Sequence, residues 1–274
     1  ALADDLAAAA RAARTALAEI ARFLRDDYAP RARAEDAVGR ETYVLAARLT
    51  LGTDLDPEEA YAWGWEELHR IETELAAEAA RIRPGATLEE VTALLGETEY
   101  VEGLPAYQQW LQDRHDEAVE RLHGVHFDIP EGLRRIDVTL AHGSSAGAPY
   151  YTPPSEDLSR PGRTWWPLGG RERFETWREL TTVFHEGVPG HHLQLGTARV
   201  ARDRLSRFAR TSGISGHGEG WALYAERLAD ELGWFTPPGT RLGMLKGSAV
   251  RAARVVIDIG LHLDLPLPPA EAAR

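Results

Sequence analysis

Apolar residues recur every three or four positions through most of the chain, which is the spacing of one face of an α-helix. The opening stretch repeats this spacing with Leu17 and Ile20. Helix-start signals separate the periodic stretches, because Pro57 follows two aspartates and Thr87 forms a capping box with Glu90. Helices are therefore predicted at 1–27, 39–51, 57–83, from 87 onwards, 104–122, 173–183, 192–210, 217–231 and 241–263.

The pattern changes between 127 and 168, where polar and apolar residues alternate in short runs bounded by glycine, proline and serine. Alternation with a period of two is typical of strands. Short strands are predicted at 135–140, 150–152 and 164–166, directly ahead of the helix richest in histidine. The predicted fold class is mainly α, as a single domain over 1–274, with a small antiparallel sheet beside a kinked helix.

Composition and charge narrow the classes of function. A net charge of −12 and a pI near 5.3 argue against a surface for nucleic acid or anionic membranes. The chain has no cysteine, so a metal site would need histidine and carboxylate ligands. Neither an apolar run of membrane-spanning length nor a signal peptide is visible, and a cytoplasmic protein is expected. The chain begins at Ala1 rather than methionine, which leaves its natural N terminus open.

The densest metal-binding chemistry lies between His185 and His192, in the stretch HEGVPGHH. A His-Glu pair on a helix is the first half of the zinc-peptidase motif, in which a second histidine four residues later completes the metal pair. Here that position holds Pro189. On a straight helix His191 would lie about 9 Å further along the axis and His192 about 10.5 Å, too far to share an ion with His185.

Pro189 disrupts this helix, because it has no amide hydrogen and its ring collides with the carbonyl of His185. Glycines on both sides of the proline allow backbone conformations that other residues avoid. A kink or bulge would bring a later histidine to the place of the missing partner. His191 needs two inserted residues and His192 three, so His191 is preferred and His192 stays open. Histidines that cap a helix end are the structural alternative.

A third metal ligand is expected from the helix at 217–231, which follows a glycine-rich turn. Zinc peptidases with two histidines and one glutamate take that glutamate from a following helix. Glu219 lies 28 residues after His191, which leaves room for two antiparallel helices. Glu226, on the same face of this helix, is the alternative third ligand, or it orients one of the histidines.

The last predicted helix carries one polar stripe on an otherwise apolar element, formed by Arg251, Arg254, Asp258 and His262. Arg254 and Asp258 are expected to pair within the helix. Arg254 or His262 could instead donate a hydrogen bond to the oxyanion of a reaction intermediate. Tyr150 and Tyr151, in the strand region, are candidates for contacts to an oxyanion or a substrate.

These blocks resemble a bacterial family catalogued as a domain of unknown function and regarded as zinc-peptidase-like, distantly similar to thimet oligopeptidase and the Taq-type carboxypeptidases. The resemblance covers residues 34–263 and rests on YAWGWEELHRI, HFDIP, YYTPPSEDLSRPGR, HEGVPGHHLQ, EGWALYAERLADELG and RAARVVIDIGLHL. It implies a zincin-like helical fold that binds Zn²⁺ through His185, His191 and Glu219, with Glu186 as general base. Members of that family are usually longer, so a fragment of a longer chain is expected.

The function predicted on this basis is hydrolysis of a peptide or small amide by water activated on zinc. Glu186 would take the proton of the water and pass it to the leaving amine. Arg254, His262 and Tyr151 are the further catalytic candidates. Two alternatives stay open: a non-catalytic helical scaffold or degraded paralogue, and a non-haem iron oxygenase on the same ligands. Glu186 favours hydrolysis, because it has no obvious task in oxygen chemistry.

Overall fold

The computed structural model describes residues 2–144 and 146–266. Over these ranges the protein is mainly helical with two small sheets, which confirms the mainly α character that the hydrophobic pattern predicts. Within the described residues the helices are α1 (Leu2–Phe23), α2 (Gly39–Leu51), α3 (Pro57–Ile82), α4 (Leu88–Thr98), α5 (Leu104–Leu122), α6 (Thr176–Glu186), α7 (His191–Val200), α8 (Arg207–Thr211), α9 (Ser215–Glu231) and α10 (Thr240–Leu263). The strands are β1 (Val101–Glu102), β2 (Ile136–Ala141), β3 (Tyr150–Thr152), β4 (Gly162–Pro167) and β5 (Arg173–Phe174).

Local sequence explains several helix boundaries. α3 begins at Pro57 because the carboxylate of Asp56 accepts two amide protons of the first turn, each at 3.0 Å, and proline fits that turn. α4 begins with the predicted capping box, in which Thr87 and Glu90 each bond the backbone amide of the other. These boundaries depend only on near neighbours in the chain, and the sequence pattern therefore locates them.

The main hydrophobic core lies where α10 packs against α3 and α6. Two glycines permit the close approach of these helices. Gly64 of α3 lies against Val255 and Val256 of α10, and Gly243 of α10 lies against the backbone of Trp177 in α6. Since α6 also packs on α9, its C-terminal end is held between two neighbouring helices. That end carries the first histidine of the candidate metal site.

A second, smaller core joins α5 to the strands. The ring of Tyr107 stacks on Phe174 with centroids 3.8 Å apart, and Trp166 meets Tyr107 edge-on. Val183 of α6 belongs to the same cluster, so the sheet is packed directly against the helix that leads into the site.

The three-stranded sheet has a different topology from the one predicted. It is mixed rather than antiparallel: β2 and β4 pair in parallel over six residues, and only β3 runs antiparallel to β4. The strand order β2-β4-β3 puts β4, the last of these three strands in the chain, between the other two. Alternating polarity identifies a strand but does not specify its partner, so the sequence pattern could not reveal the parallel pair.

Two helix boundaries also differ from the predicted ones. Arg173 and Phe174 pair with β1 as strand β5, so the helix expected from 173 begins at Thr176. The helix expected to run to 210 ends at Val200. The side chain of Ser206 then caps the separate short helix α8, by accepting the amide proton of residue 209 at 3.2 Å.

Candidate metal centre

The helix expected to be kinked is broken into two at the Pro-Gly pair. α6 ends at Glu186 and α7 begins at His191, with a four-residue turn between them. The amide of Gly190 donates to the carbonyl of Phe184 at 3.0 Å, and any side chain at this position would collide with the carbonyl of His185. The ring centroids of His185 and His191 consequently lie 4.8 Å apart. The turn thus brings together two side chains that a straight helix would separate.

His185, His191 and Glu219 converge, each offering a ligand atom within 4.8 Å of the others. Nε2 of His185 lies 3.4 Å from one carboxylate oxygen of Glu219, and Nε2 of His191 lies 3.7 Å from the other. Donors bound about 2 Å from a tetrahedral zinc ion are about 3.3 Å apart, so small side-chain movements would complete a site. Two imidazoles and one carboxylate leave the fourth position open for water, as in catalytic rather than structural zinc sites.

Trp221 ties α9, and with it Glu219, to the turn between α6 and α7. Its indole Nε1 donates a hydrogen bond of 2.8 Å to the carbonyl oxygen of Pro189. The sequence assigned no specific role to Trp221. The signal that could have identified it is general: a partly buried indole N–H needs an acceptor, and the broken helix leaves carbonyl groups free nearby.

Glu226, the alternative ligand, lies on the opposite side of the His185 ring. Nδ1 of His185 donates to Glu226 at 2.8 Å, while Nε2 faces Glu219. The buried carboxylate also accepts from the hydroxyl of Thr181 and pairs with Arg251, whose guanidinium lies 3.0 Å away. Glu226 is therefore placed to orient His185, which is the second role that its position in the sequence suggested.

Glu186 is buried in the wall of the cleft that His185, His191 and Glu219 also line. Its Oε2 atom makes no hydrogen bond to any residue within 2–144 and 146–266. Burial raises the pKa of Glu186 to about 7; the positive charge of His185 opposes this shift, and the negative charge of Glu219 adds to it. A buried carboxylate oxygen without a protein partner marks a group that is available to a ligand or water.

The pKa values of the two candidate histidine ligands shift in opposite directions. Burial lowers the pKa of His185, but hydrogen bonds to Glu219 and Glu226 outweigh burial and raise it to about 9. Burial, assisted by the positive charge of His185, lowers the pKa of His191. Without an ion, His185 therefore carries a proton at neutral pH. A metal that binds here would have to displace that proton, so its affinity would weaken as the pH is lowered.

His192, the other histidine considered as a ligand, is fully buried and uses both ring nitrogens elsewhere. Nε2 lies 2.7 Å from the carbonyl oxygen of Leu133, which can only accept, so this nitrogen carries the proton. Burial lowers the pKa of His192 to about 4 and keeps the ring neutral, so Nδ1 accepts the hydroxyl proton of Tyr151 at 2.9 Å. A side chain at Gly162 would collide with both partners, so this glycine permits the contact.

A cleft of about 660 Å³ opens onto the three candidate ligands. Tyr150, Tyr151 and Arg254, which the sequence suggested as substrate contacts, all line it. The ring of Tyr150 stacks on that of Trp165 with centroids 5.9 Å apart. Because the hydroxyl proton of Tyr151 points at His192, it is not free to donate to an oxyanion in this arrangement.

His262 lies outside the cleft, which corrects the expectation that it acts there. It is about 12 Å beyond Arg254 along the axis of α10, and its Nδ1 accepts the amide proton of Val38 at 3.2 Å. The expected Arg254–Asp258 pair is absent from the described part of the chain. Asp258 instead accepts from the hydroxyl of Tyr43 at 2.7 Å and lies 3.8 Å from His262. Helical spacing alone did not distinguish these partners.

Comparison with known proteins places this fold among bacterial relatives. The family model described as "Bacterial protein of unknown function (DUF885)" matches residues 1–274. No curated protein matches the chain at a significant level. The resemblance to a bacterial family of unknown function is thus confirmed, and the relation of that family to zinc peptidases stays a prediction.

Solved structures that are similar to the chain include two bacterial proteins. One is "the putative lipoprotein from Colwellia psychrerythraea", with 27% identity and a TM-score of 0.72 over 84% of this chain and 42% of that one. The other is "a putative lipoprotein of unknown function from Shewanella oneidensis", with 17% identity and a TM-score of 0.66 over 90% and 47%. The second likeness concerns the fold alone. The chain spans less than half the length of either protein.

The expectation of a cytoplasmic protein is contradicted by these similarities. The similar protein from Colwellia psychrerythraea is described as a putative lipoprotein, and lipoproteins are held at membrane surfaces by their acyl chains. Across residues 2–144 and 146–266, no helix combines the length and apolar character needed to cross a bilayer.

Proposed function

We propose that this chain, which belongs to the bacterial DUF885 family of unknown function, is a zinc-dependent hydrolase of peptide or amide bonds. The observation that carries this proposal is the convergence of His185, His191 and Glu219 beside the buried carboxyl group of Glu186. The proposed cofactor is Zn²⁺, and the proposed substrate is a short peptide or a small amide.

The chemistry of the donor set favours zinc. Two imidazoles and one carboxylate suit a zinc ion that keeps one position for water or substrate. His185 is also held by Glu226 through the ring nitrogen that faces away from Glu219, as metal-binding histidines commonly are. When bound, zinc supplies Lewis acidity, which activates water for attack and polarises the carbonyl group of the substrate.

Glu186 is the proposed general base. It follows His185 directly in the chain and lines the same cleft, with one oxygen free of protein partners among the described residues. A base must reach the proton that it removes directly or through one water molecule. Glu186 would accept a proton from the attacking water and return it to the amine that leaves.

Tyr150 and Arg254 are the remaining proposed contacts to substrate, because both line the cleft and neither is committed to the metal ligands. Tyr151 has a more restricted role. Its hydroxyl would donate to an oxyanion only after releasing His192, whereas it can accept a hydrogen bond from a substrate N–H without rearrangement.

Metal analysis combined with one substitution tests the proposal. Protein purified without added metal should contain an equimolar amount of zinc and should hydrolyse members of a fluorogenic peptide library. Glu186→Gln should retain the zinc and lose at least about a hundredfold in kcat. Glu172→Gln is the matched control, because Glu172 is exposed and does not line the cleft.

Other outcomes would exclude the proposal or part of it. Full activity in Glu186→Gln would remove the general-base assignment. Iron in place of zinc, together with oxygen consumption, would replace the hydrolase with an oxygenase. Protein that neither contains nor binds zinc after careful handling would favour the non-catalytic scaffold.

A further inference from the structure

Two arginines of α10 line the cleft, and they differ in whether a carboxylate pairs with them. Arg251 is paired, because its guanidinium contacts both carboxylate oxygens of Glu226 at 3.0 Å and 3.3 Å. Arg254 lies one helical turn further along the same face. Within residues 2–144 and 146–266 it has no hydrogen bond, ion pair or aromatic partner. Arg254 is therefore a free cation at the edge of the candidate metal centre.

The charges around the cleft leave a positive excess once a divalent ion is present. Glu186, Glu219 and Glu226 supply three carboxylates. A divalent ion with Arg251 and Arg254 outweighs them, although the chain as a whole has a net charge of −12. Without Arg254 the same set would be neutral. Arg254 thus makes the cleft attractive to an anion in a protein whose overall charge repels anions.

The Arg254 side chain suits an anion with paired oxygens, such as a carboxylate or a phosphate, and a peptide supplies the carboxylate. A guanidinium group presents paired N–H donors that match the two oxygens of a carboxylate. The cleft volume of about 660 Å³ lies in the range of small-molecule sites rather than of extended protein interfaces. A peptide that reaches the metal ligands from this cleft can bring its own terminal carboxylate close to Arg254.

The geometry points to Arg254 as the residue that binds the free C-terminal carboxylate of the substrate. Resting on the proposed hydrolase function, this makes the protein an exopeptidase that acts on short peptides near their C-terminal end. One residue of extended chain spans about 3.5 Å, and one turn of α10 separates Arg254 from the arginine that contacts Glu226. The carboxylate that Arg254 holds therefore lies within a few residues of the scissile bond.

Binding measurements on an inactive, zinc-loaded protein test this inference without relying on turnover. In the Glu186→Gln background, an N-acetylated tripeptide with a free carboxylate is titrated by calorimetry and compared with its C-terminal amide. The acid should bind at least about tenfold more tightly than the amide, because its charge-assisted hydrogen bonds are lost in the amide. Adding Arg254→Gln should remove most of this difference, because the paired donors are lost although the Glu186→Gln background keeps one positive charge in excess, and Arg254→Lys should restore part of it.

A second arginine provides the matched control. Arg83→Gln also removes an exposed arginine, but Arg83 lies at the end of α3 and does not line the cleft, so it should leave the preference for the acid unchanged. Because Arg254 is exposed and without a partner among the described residues, Arg254→Gln should unfold at the same temperature as its parent.

Three results would overturn the inference while leaving the hydrolase proposal intact, since zinc content and the loss of hydrolysis in Glu186→Gln are measured separately. Equal binding of acid and amide would show that no carboxylate is recognised. A preference that survives Arg254→Gln would place the carboxylate on the metal or on Arg251. A third peptide has a C-terminal amide and carries its carboxylate on a glutamate side chain. If it binds as tightly as the tripeptide acid and its binding also depends on Arg254, the carboxylate that Arg254 recognises need not be terminal.

Discussion

The histidines close to the turn between α6 and α7 form two groups with opposite surroundings. His185 and His191 face the carboxylates of Glu219 and Glu226 at the cleft. His192 and His115 are buried among neutral partners: His192 contacts a carbonyl and a tyrosine hydroxyl, and Nε2 of His115 lies 3.2 Å from the hydroxyl of a threonine.

This difference in partners explains why the pKa values of His185 and His192 shift in opposite directions. Burial penalises the protonated ring in both groups, but only the cleft histidine His185 has carboxylates that overcome the penalty, with a pKa of about 9. In the neutral pocket the pKa falls to about 4 for His192 and to about 3 for His115. Carboxylates that attract a proton also attract a metal ion, whereas a neutral pocket stabilises only the uncharged ring.

The largest expected effect comes from replacing each of the two adjacent histidines, His191 and His192, by alanine in turn. His191→Ala should lose zinc and about a thousandfold in kcat, because the proposed metal would stabilise the transition state by several kcal/mol. His192→Ala should keep the zinc but lower the free energy of unfolding by about 3 kcal/mol, because it leaves buried polar groups unpaired. Zinc content and urea unfolding measure the two effects. Loss of zinc in His192→Ala with retention in His191→Ala would reverse the assignment.

The next effect concerns the carboxylate that orients His185. Glu226→Gln should weaken zinc binding about 10- to 100-fold. The substitution removes the negative charge that faces Nδ1 of His185 and leaves Arg251 without its ionic partner. Competition with a chelator of known affinity measures the change. Glu231→Gln, an exposed substitution at the end of α9, is the control. An unchanged zinc affinity in Glu226→Gln would show that the hydrogen bond does not support the metal.

The neutral pocket should make the protein sensitive to acid. In the unfolded chain, His115 and His192 titrate near 6.5, whereas their lowered pKa values keep them neutral in the folded protein. The unfolded chain therefore binds more protons as the pH falls below about 6.5. The stability from this pocket is complete above that pH and is lost toward the folded pKa values, at about 1.4 kcal/mol per pH unit for each histidine.

Urea unfolding at several pH values with a chelator present measures this dependence. His115→Gln should reduce the slope of unfolding free energy against pH by about 1.4 kcal/mol per unit between pH 6 and 4. His126→Asn, which changes an exposed histidine, should leave the slope unchanged. If the slopes of wild type and His115→Gln coincide, His115 is not held neutral in the fold.

The smallest expected effect tests the tie between the turn and α9. Trp221→Phe removes the hydrogen bond to the carbonyl of Pro189 and should cost about 1 kcal/mol, or about 2–4 °C in Tm for a chain of this size. Zinc affinity should fall a few-fold, because Glu219 is held less firmly. Thermal unfolding with and without a chelator distinguishes the two effects. Trp63→Phe, at an exposed position on α3, should change neither property.

Much of the local structure was accessible from the sequence, because short-range chemistry decides it. The start of α3 at Asp56 and Pro57 and the capping box at Thr87 depend on neighbours within one helical turn. The break at Pro189 follows from the missing amide and the fixed ring of proline. The sequence also singled out the residues that converge at the cleft, although their role in binding a metal stays a prediction.

Partners that come from distant parts of the chain were not accessible in this way. The parallel pairing of β2 with β4, the bond between Tyr151 and His192, and the position of His262 against Val38 all join residues that are far apart in sequence. Helical or strand periodicity gives the face on which a side chain lies, but not the element that covers that face.

The sequence by itself therefore determined the helical character of the protein and the position of the helix break, and it narrowed the candidate ligands to His185, His191 or His192, and Glu219 or Glu226. Only the tertiary structure decided that Nε2 of His185 faces Glu219 while Nδ1 faces Glu226, and that His192 turns to the carbonyl of Leu133. The physical reason is that helix breaks arise from neighbouring backbone groups. The direction of a buried imidazole is instead set by hydrogen-bond partners that packing brings from other helices.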